Sequence, residues 1–511
     1  MRINGVYRAG DVGIDNEFRR TAAIGAGLDY RGDRLRLSLD LGFQRIQVRN
    51  LRPKVTIASA TIPAVPDADH NYGQRFSYTT LRDLFGTGRA EYDLADNALL
   101  YVTGGARDGS EQGLYDGITV NNAVTGAATG TALYVPRTDN NEAVQGGLRV
   151  KLAAGGISQE INIGGQMNWQ VNRNAYDFRY GPGFAGFATN LYTTPQVAVP
   201  ASTLVGGNLA DPFPVARNRL GSAFASDTVG LLGDRVLLTG GLRLQTIDQR
   251  GYSYDTGALA TTYRSSAVTP VAGVVVKPLA GVSLFFNRIE GLQPGAVAPV
   301  GTVNAGQIFA PFRSTQYEVG GKLAVARRVN ASVALYSIEQ PSAYSVALTT
   351  TTFRYGVFGL QRNRGIELSL DGEIAPGLRL IAGGSITDAR LRNTAGGSND
   401  GHIAVGVPDY LVNADAEWDL PFVAGLTLTG RAVNTGWQQV NAANTLQIPS
   451  WMRVDAGVRY VTAMDGRSLT LRFTVDNLAD RRFWASSFDS FGAALLQGLP
   501  RTFKISASFD L

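Results

Sequence analysis

Residue types that carry enzymatic chemistry are sparse in this chain of 511 residues. Its two histidines, His70 and His402, stand far apart, whereas a zinc site needs three or four ligands at defined spacing. Cysteine is absent, so the chain has neither a disulfide framework nor a thiolate metal site. No G-x-S-x-G motif and no glycine-rich phosphate loop occurs, and Asp67 and Asp69 fit a loop turn better than a cation site. The sequence therefore predicts a protein that is not an enzyme and holds no resident cofactor.

Composition narrows the class of protein further. Only 17% of the residues are charged, yet the mean hydropathy is -0.04. No uninterrupted apolar run reaches the roughly 18 residues of a membrane helix, and the nearest candidate, Val268–Phe286, is broken by Pro270 and Lys277. The net charge of +5 comes without a Lys/Arg block, which argues against a nucleic-acid partner. A β-barrel hides its hydrophobicity in alternation, so an average near zero is compatible with a membrane protein of that kind.

The end of the chain shows this alternation most clearly. Arg501–Leu511 reads RTFKISASFDL, with apolar residues at every second position and mostly polar residues between them. The same period of two recurs in Leu35–Phe43, Ile366–Leu370 and Leu469–Val475. Such runs approach the 9–11 residues with which a tilted strand crosses a bilayer, one face toward lipid and the other toward the lumen. They predict transmembrane β-strands.

The connections between these runs fall into two alternating classes. Short turns rich in Gly, Pro, Asn and Asp occur at, for example, 31–33, 94–97 and 464–466. Long loops occupy roughly residues 49–75, 112–141, 176–218, 291–314, 391–408, 434–450 and 477–500. We count nine short turns and ten long loops, hence about 20 antiparallel strands with no linker that divides the chain. The sequence predicts an all-β fold, one transmembrane antiparallel β-barrel over residues 1–511 with short periplasmic turns and long extracellular loops.

Four segments resemble a known family. They are NYGQRFSYTTLRDLFGTG (71–88), NAGQIFAPFRSTQYEVGGK (304–322), GIELSLDGEIAPGLRLIAGGSITDARL (365–391), and the closing stretch 469–511 with TVDNLADRRFWASS and GLPRTFKISASFDL. Together they resemble the barrel of TonB-dependent outer-membrane receptors, most closely the ferric-siderophore branch. The resemblance covers essentially the whole chain.

Two features depart from that family. Receptors of this family begin with three parts: a signal peptide, a short segment that contacts TonB, and a plug domain. We expect none of these in this chain, because its first segment, Arg2–Gly10, already resembles the third barrel strand. Since such barrels have 22 strands, we predict about 20 strands of an originally 22-stranded barrel, truncated at its N-terminus and without a plug. Leu511 stands where the family usually ends in an aromatic residue. The last strand either pairs with Arg2–Gly10 in a smaller barrel or remains an exposed edge.

The resemblance implies that ferric siderophores dock in an extracellular vestibule lined by aromatic and arginine side chains. Such groups suit a bulky, partly apolar and often anionic chelate. The candidate binding residues are Tyr115, Tyr176, Tyr180, Phe184, Phe187, Trp437, Trp484 and Phe491, with Arg173 and Arg179 nearby. Tyr176 and Tyr180 stand out because they open the longest loop. The alternative for each aromatic residue is a place in the membrane-interface belt or in loop packing.

The resemblance also implies a function and a set of partners. The function is ferric-siderophore uptake through the outer membrane of a Gram-negative bacterium, with iron present only as part of the substrate. Outer-membrane lipid and lipopolysaccharide would surround the barrel, and the TonB complex would act only through the absent N-terminal region. Inward-facing charges such as Arg36 and Asp40 would face a plug, or pair with each other along the lumen. Alternatives are a passive porin-like pore, an adhesion protein that uses its loops, and a receptor for cobalamin or a glycan.

Overall fold

The fold consists almost entirely of β-strands. A computed structural model describes residues 1–181, 183–299, 301–325, 328–349, 351–489 and 492–509. Its first strands are β1 (Arg2–Asp11), β2 (Phe18–Arg31), β3 (Leu35–Arg49), β4 (Val55–Ile57), β5 (Tyr78–Ala95), β6 (Ala98–Val120), β7 (Ala127–Ala154), β8 (Ile157–Asn174), β9 (Tyr176–Phe178), β10 (Phe187–Asn190), β11 (Leu204–Gly206), β12 (Pro214–Leu231), β13 (Val236–Tyr252) and β14 (Leu259–Val276). They are followed by β15 (Val282–Gln293), β16 (Phe312–Val325), β17 (Val329–Ala347), β18 (Phe353–Ala375), β19 (Leu378–Arg392), β20 (Tyr410–Asp419), β21 (Leu426–Thr435), β22 (Gln438–Gln439), β23 (Gln447–Ile448), β24 (Trp451–Met464), β25 (Arg467–Asp476), β26 (Trp484–Asp489), β27 (Ala493–Gln497) and β28 (Thr502–Phe509). A 3₁₀ turn covers Ala395–Gly397, and none of the helices in the described part of the chain could span a membrane.

Twenty of these strands form one continuous antiparallel wall. Each wall strand pairs with the wall strand before it and the one after it along the chain, from β1 through β2, β3, β5, β6, β7, β8 and β12 onward to β21, β24, β25 and β28. The remaining strands belong to the connections at one end of the wall. The predicted all-β fold and the strand count are therefore confirmed in the described residues. The prediction of ten long loops is wrong, because the connections 12–17, 121–126 and 253–258 on the loop side have only six residues each.

Alternation along each strand separates an outer apolar face from an inner charged one. On β3, the outward Leu37, Leu39 and Leu41 are 40%, 39% and 50% exposed, as lipid-facing side chains of a barrel are in the absence of lipid. The inward Arg36 donates two hydrogen bonds of 2.7 and 2.8 Å to Asp93 and one of 2.9 Å to Glu91. The interpretation of inward charges as mutually paired along the lumen is confirmed for Arg36.

The short turns owe their shape to residues that accept positive φ. Gly155 and Gly156, with φ of 58° and 80°, join β7 to β8 in a two-residue hairpin. Asp465 and Gly466, with φ of 53° and 75°, do the same between β24 and β25. Two consecutive positive φ angles give the hairpin turn whose twist matches that of the flanking strands, and the turn predicted at 464–466 is found there.

One predicted boundary is wrong. Residues 112–141 were expected to form a long loop, but β6 and β7 continue through most of this range, and only 121–126 connect them. These strands have 23 and 28 residues, well above the predicted 9–11. Their upper parts extend beyond the apolar band, where both faces carry apolar and polar residues together, so the alternation that marks a strand in the sequence is lost.

The first and last strands of the wall do not pair with each other. In the described residues, β1 pairs only with β2 and β28 only with β25. Of the two alternatives for the closing strand, pairing with Arg2–Gly10 is therefore not the one observed, and Asp510 and Leu511 lie outside the described residues. We call the gap between these two edges the seam.

Hydrogen exchange tests the open seam. Every second amide of a strand points to the same side, so one alternating set in Thr502–Phe509 lacks a partner. We expect that set to exchange in detergent at least tenfold faster than the set bonded to β25, as measured by NMR on the purified chain. Equal protection of both sets would show that β28 pairs with a second strand.

Candidate functional site

The upper parts of β6 and β7 stand above the apolar band and form the wall of a vestibule. Outward residues of β6 are apolar at Leu100 and Val102 and become charged at Asp108, which lies 3.8 Å from Arg82 of β5. Residues beyond this level therefore lie outside the membrane-spanning part. Leu100 and Val102 face outward, so the odd positions of β6, such as the buried Tyr101, face the lumen. The register pairs odd positions of β6 with odd positions of β7, which therefore face the lumen too.

An aromatic ladder lines the lumen side of this wall. Tyr176 and Phe178 of β9 share a face because β9 is extended, and Phe178 pairs with Leu133 of β7. Ring centroids are separated by 5.1 Å between Tyr254 and Tyr176, 4.8 Å between Tyr176 and Phe178, and 5.2 Å between Phe178 and Tyr180. These distances and the tilted or edge-on angles are typical of favourable aromatic contacts. Four rings thus form one continuous, half-buried surface.

Tyr115 belongs to the same surface, two strands away. It pairs in register with Leu133, which in turn pairs with Phe178, so Tyr115 and Phe178 lie about 10 Å apart. The Tyr115 hydroxyl bonds to Thr79 at 2.8 Å and donates to Glu111. Burial, together with the hydrogen bond to Glu111, raises the pKa of Tyr115, which therefore stays protonated at neutral pH.

Glycines allow two of these rings to lie flat on the wall. A Cβ on Gly206 would lie 2.2 Å from the ring of Tyr176, and a Cβ on Gly113 would lie 2.6 Å from the ring of Tyr115. Both contacts are far below van der Waals distance, so any larger residue would displace the ring. The ladder is therefore fixed by its neighbours as well as by its own side chains.

The charges beside the ladder are already neutralised. Arg179 donates 2.8 Å hydrogen bonds to Asp177 and to the Pro200 carbonyl, and Ser202 donates to the same Asp177 at 2.5 Å. Arg137, on the lumen face of β7, lies 2.7 Å from Asp139. The surface around the rings thus suits a bulky ligand with apolar faces and little net charge.

A buried carboxyl group lies behind this wall. Asp116 accepts the backbone N–H of Gln74 at 2.6 Å, where the loop of residues 71–77 packs on β6. Burial raises the pKa of Asp116 to about 7, against hydrogen bonds from Gln74 and Ser77 that lower it. The protonation state of Asp116 therefore changes in the neutral range.

The structure separates the predicted site residues into groups. Tyr115, Tyr176 and Tyr180 come together in the ladder, with Arg179 held beside them. Arg173 lies on the outward face of β8, away from the ladder, and donates a hydrogen bond to Asn140 at 2.8 Å. The ligand contacts of all of them remain predictions.

The remaining candidates lie in the loops. Phe187 packs against Phe76, with centroids 6.5 Å apart, and Trp484 is 3% exposed within a hydrophobic core of loop residues. Phe184 bridges Gly181 at a loop tip and Trp437 is half-buried. Phe491 lies outside the described residues.

Sequence analysis missed Phe178 and Tyr254. Phe178 had a usable signal, because Y-D-F-R-Y at 176–180 alternates aromatic and charged residues with the period of a strand. Tyr254 had no such signal in the sequence, because it lies in the loop after β13 and contacts Tyr176 only in the folded chain.

The antiparallel wall has charged residues on its inner face, an apolar belt on its outer face and aromatic residues at one end. These features define the transmembrane β-barrel class of fold. The profile of the family described as "TonB dependent receptor-like, beta-barrel" matches residues 11–478. The chain belongs to the TonB-dependent receptor family, and it provides the β-barrel region. This is a family of transport receptors and not of enzymes.

Individual relatives agree with this assignment. The chain is 38% identical over 525 aligned residues to "Ferrichrome receptor FcuA" of Yersinia enterocolitica, covering 100% of this chain and 66% of the relative. It is 30% identical over 267 residues to the "Ferrichrome outer membrane transporter/phage receptor" of Escherichia coli K12, covering 51% and 34%. The crystal structure of BauA, the ferric preacinetobactin receptor of Acinetobacter baumannii, superposes with a TM-score of 0.90 at 28% identity, covering 100% and 75%. The chain thus spans less than two thirds of the length of these two curated relatives.

Proposed function

We propose that this chain is the barrel of an outer-membrane receptor for ferric siderophores, and that its ligand is an uncharged ferric chelate of the hydroxamate type. The observation that carries the proposal is the aromatic ladder at the mouth of the wall, together with two relatives named as ferrichrome receptors or transporters. Flat aromatic rings bind the apolar faces of a compact chelate without needing a charge on it.

The charges of the vestibule favour a neutral chelate. Three hydroxamates on Fe³⁺ give no net charge, whereas three catecholates leave a charge of minus three. The two arginines beside the ladder, Arg179 and Arg137, already have carboxylate partners, and Glu111 adds a carboxylate next to Tyr115. An anionic chelate would have to break these pairs and to approach Glu111, at a cost in binding free energy.

Calorimetry on the purified chain in detergent tests the proposal. We expect ferrichrome to bind at least tenfold more tightly than a ferric tricatecholate, and raising the salt concentration to change the ferrichrome affinity little. Metal-free ferrichrome serves as the control. Binding of neither chelate, with a large steady conductance in planar bilayers, would favour the passive pore instead.

We also propose that the protein resides in the outer membrane of a Gram-negative bacterium, with its apolar belt in lipid. Above the belt, β18 and β19 carry four arginines on their outward face, Arg362, Arg364, Arg390 and Arg392, of which Arg390 already pairs with Asp388 at 2.6 Å. This group fits the phosphates of lipopolysaccharide. Energy coupling through TonB would require a region outside the wall, so we assign ligand binding alone to the described residues.

A further inference from the structure

Loops from the two sides of the seam are bonded to each other. β27, in the loop before the last wall strand, pairs antiparallel with β4, in the loop after β3, through Ala494 with Thr56 and Leu495 with Val55. β4 also pairs parallel with the top of β6 through Val55 with Ile118. A continuous strip β27–β4–β6 therefore joins the loop before the last wall strand to the fifth strand of the wall.

Buried side chains reinforce this strip. Trp484 donates its indole N–H to the Pro63 carbonyl at 3.0 Å. Gln497 donates to the carbonyls of Pro66 and Asp67 at 2.9 and 3.0 Å. These three bonds join residues more than 400 positions apart in the chain. Trp484 and Gln497 are buried, so water cannot easily replace the bonds.

Arg52 ties the first loop of the chain to the other two. Its guanidinium donates to the Ala68 carbonyl at 2.8 Å and to the Gly498 carbonyl at 3.0 Å. Its backbone N–H donates at 3.0 Å to Glu17, a fully buried carboxylate that also accepts from Arg19 at 2.7 Å. A buried charge held by such partners resists separation. We call the set formed by Glu17, Arg52, β4, Trp484, β27 and Gln497 the seam clasp.

The seam clasp also reaches the aromatic vestibule. β5 pairs with β6 only as far as Leu114, and β4 takes over at Ile118. Tyr115 lies between these two pairing regions of β6, and its side chain is on the lumen face. On the opposite face of β6, Ile118 and Val120 are buried in one core with Trp484 and Leu495 of the clasp loops.

We propose that the seam clasp joins the loop before the last wall strand to the loop after β3 and thereby positions the upper end of β6, with its Tyr115. Glu17, Arg52, Trp484 and Gln497 are thus positioning residues that do not touch the ligand. The consequence for ligand affinity rests on the proposed function, whereas the clasp itself does not.

A disulfide tests the clasp without any ligand. The chain has no cysteine, and partners in an antiparallel ladder have Cα atoms about 4.5–5.5 Å apart, within the range of disulfides. We expect Thr56→Cys combined with Ala494→Cys to oxidise nearly completely in the folded protein, seen as a mobility shift on a non-reducing gel. Thr56→Cys combined with Ala258→Cys, in the loop between β13 and β14, should not cross-link. Failure of the first pair to oxidise, or equal oxidation of both, would overturn the clasp.

Hydrogen exchange tests the positioning role. We expect Arg52→Ala to speed exchange of the β4-bonded amides in Ile118–Val120 at least tenfold, and the milder Trp484→Phe to act in the same direction. Arg313→Ala is the matched control, since Arg313 also donates to a backbone carbonyl, that of Val268 at 3.2 Å, but lies on β16, which pairs only with β15 and β17 in the described residues. The 56–494 disulfide should restore protection in Arg52→Ala. Unchanged exchange at Ile118–Val120 would overturn the positioning role.

Ligand affinity separates the two proposals. If ferrichrome binds, Arg52→Ala should raise its Kd several-fold, and the disulfide should restore the wild-type value. An unchanged Kd despite faster exchange would overturn the positioning of the vestibule. If no chelate binds the wild-type chain, the proposed function fails, while cross-linking and exchange still decide the clasp.

Discussion

Replacing Phe178 with alanine is expected to weaken the binding of a ferric trihydroxamate roughly tenfold to a hundredfold, or about 1.4–2.8 kcal/mol. Phe178 is the centre of the ladder, with Tyr176 and Tyr180 at centroid distances of 4.8 and 5.2 Å. Its removal deletes contact area and also frees both neighbouring rings to move. Isothermal titration with ferrichrome measures the effect.

The matched control is Phe187→Ala. Phe187 packs against Phe76 on the far side of the wall, so its loss should alter stability but change the Kd less than twofold. Phe178→Tyr, which keeps the ring, should retain most of the affinity. Wild-type affinity in Phe178→Ala would remove the ladder from the binding site.

Replacing Asp116 with asparagine is expected to abolish a pH dependence in the stability of the 71–77 loop. In the folded chain the pKa of Asp116 is about 7, above the value near 4 of an unfolded aspartate. The folded state therefore holds this proton more tightly. Protonation of Asp116 therefore stabilises the folded loop fully below about pH 4. This stabilisation declines as the pH rises from about 4 to 7 and is absent above that range. A shift of about three pKa units corresponds to roughly 4 kcal/mol.

Exchange of the Gln74 amide reports this effect, because Asp116 is its acceptor. In wild type, the free energy of local opening should fall by up to about 4 kcal/mol between pH 4 and pH 7, after correction for intrinsic exchange. In Asp116→Asn it should stay level, since the amide oxygen still accepts the bond. Tyr72, the other buried titratable group of this loop, titrates only at alkaline pH because burial raises its pKa. Parallel pH profiles in both proteins would contradict the assignment.

The wall was predictable because its physics is local. In a strand, side chains alternate with a period of two, so apolar Leu37 and Leu39 and charged Arg36 sort onto opposite faces whatever the neighbours are. Turns such as Asp465–Gly466 are equally local, since they need only residues that accept positive φ. Strand number and direction follow from these two signals.

The vestibule was only partly predictable. The alternation of Tyr176, Phe178 and Tyr180 lies in the sequence, and two of these three residues were identified. Trp484 was also expected at the vestibule, yet its indole N–H bonds to Pro63 in a buried core. Nothing in a loop sequence distinguishes an aromatic side chain that lines a vestibule from one that packs between loops.

By itself, then, the sequence determined a twenty-stranded antiparallel wall, its inner and outer faces and its family resemblance, because each depends on patterns within a few residues. Only the tertiary structure decided that Tyr254 completes the ladder and that Trp484, Gln497 and Arg52 join across the seam. Those contacts depend on the curvature of the wall, which brings its first and last loops together. That curvature is the sum of small twists between neighbouring strands over twenty strands, so it cannot be predicted from any single segment of the sequence.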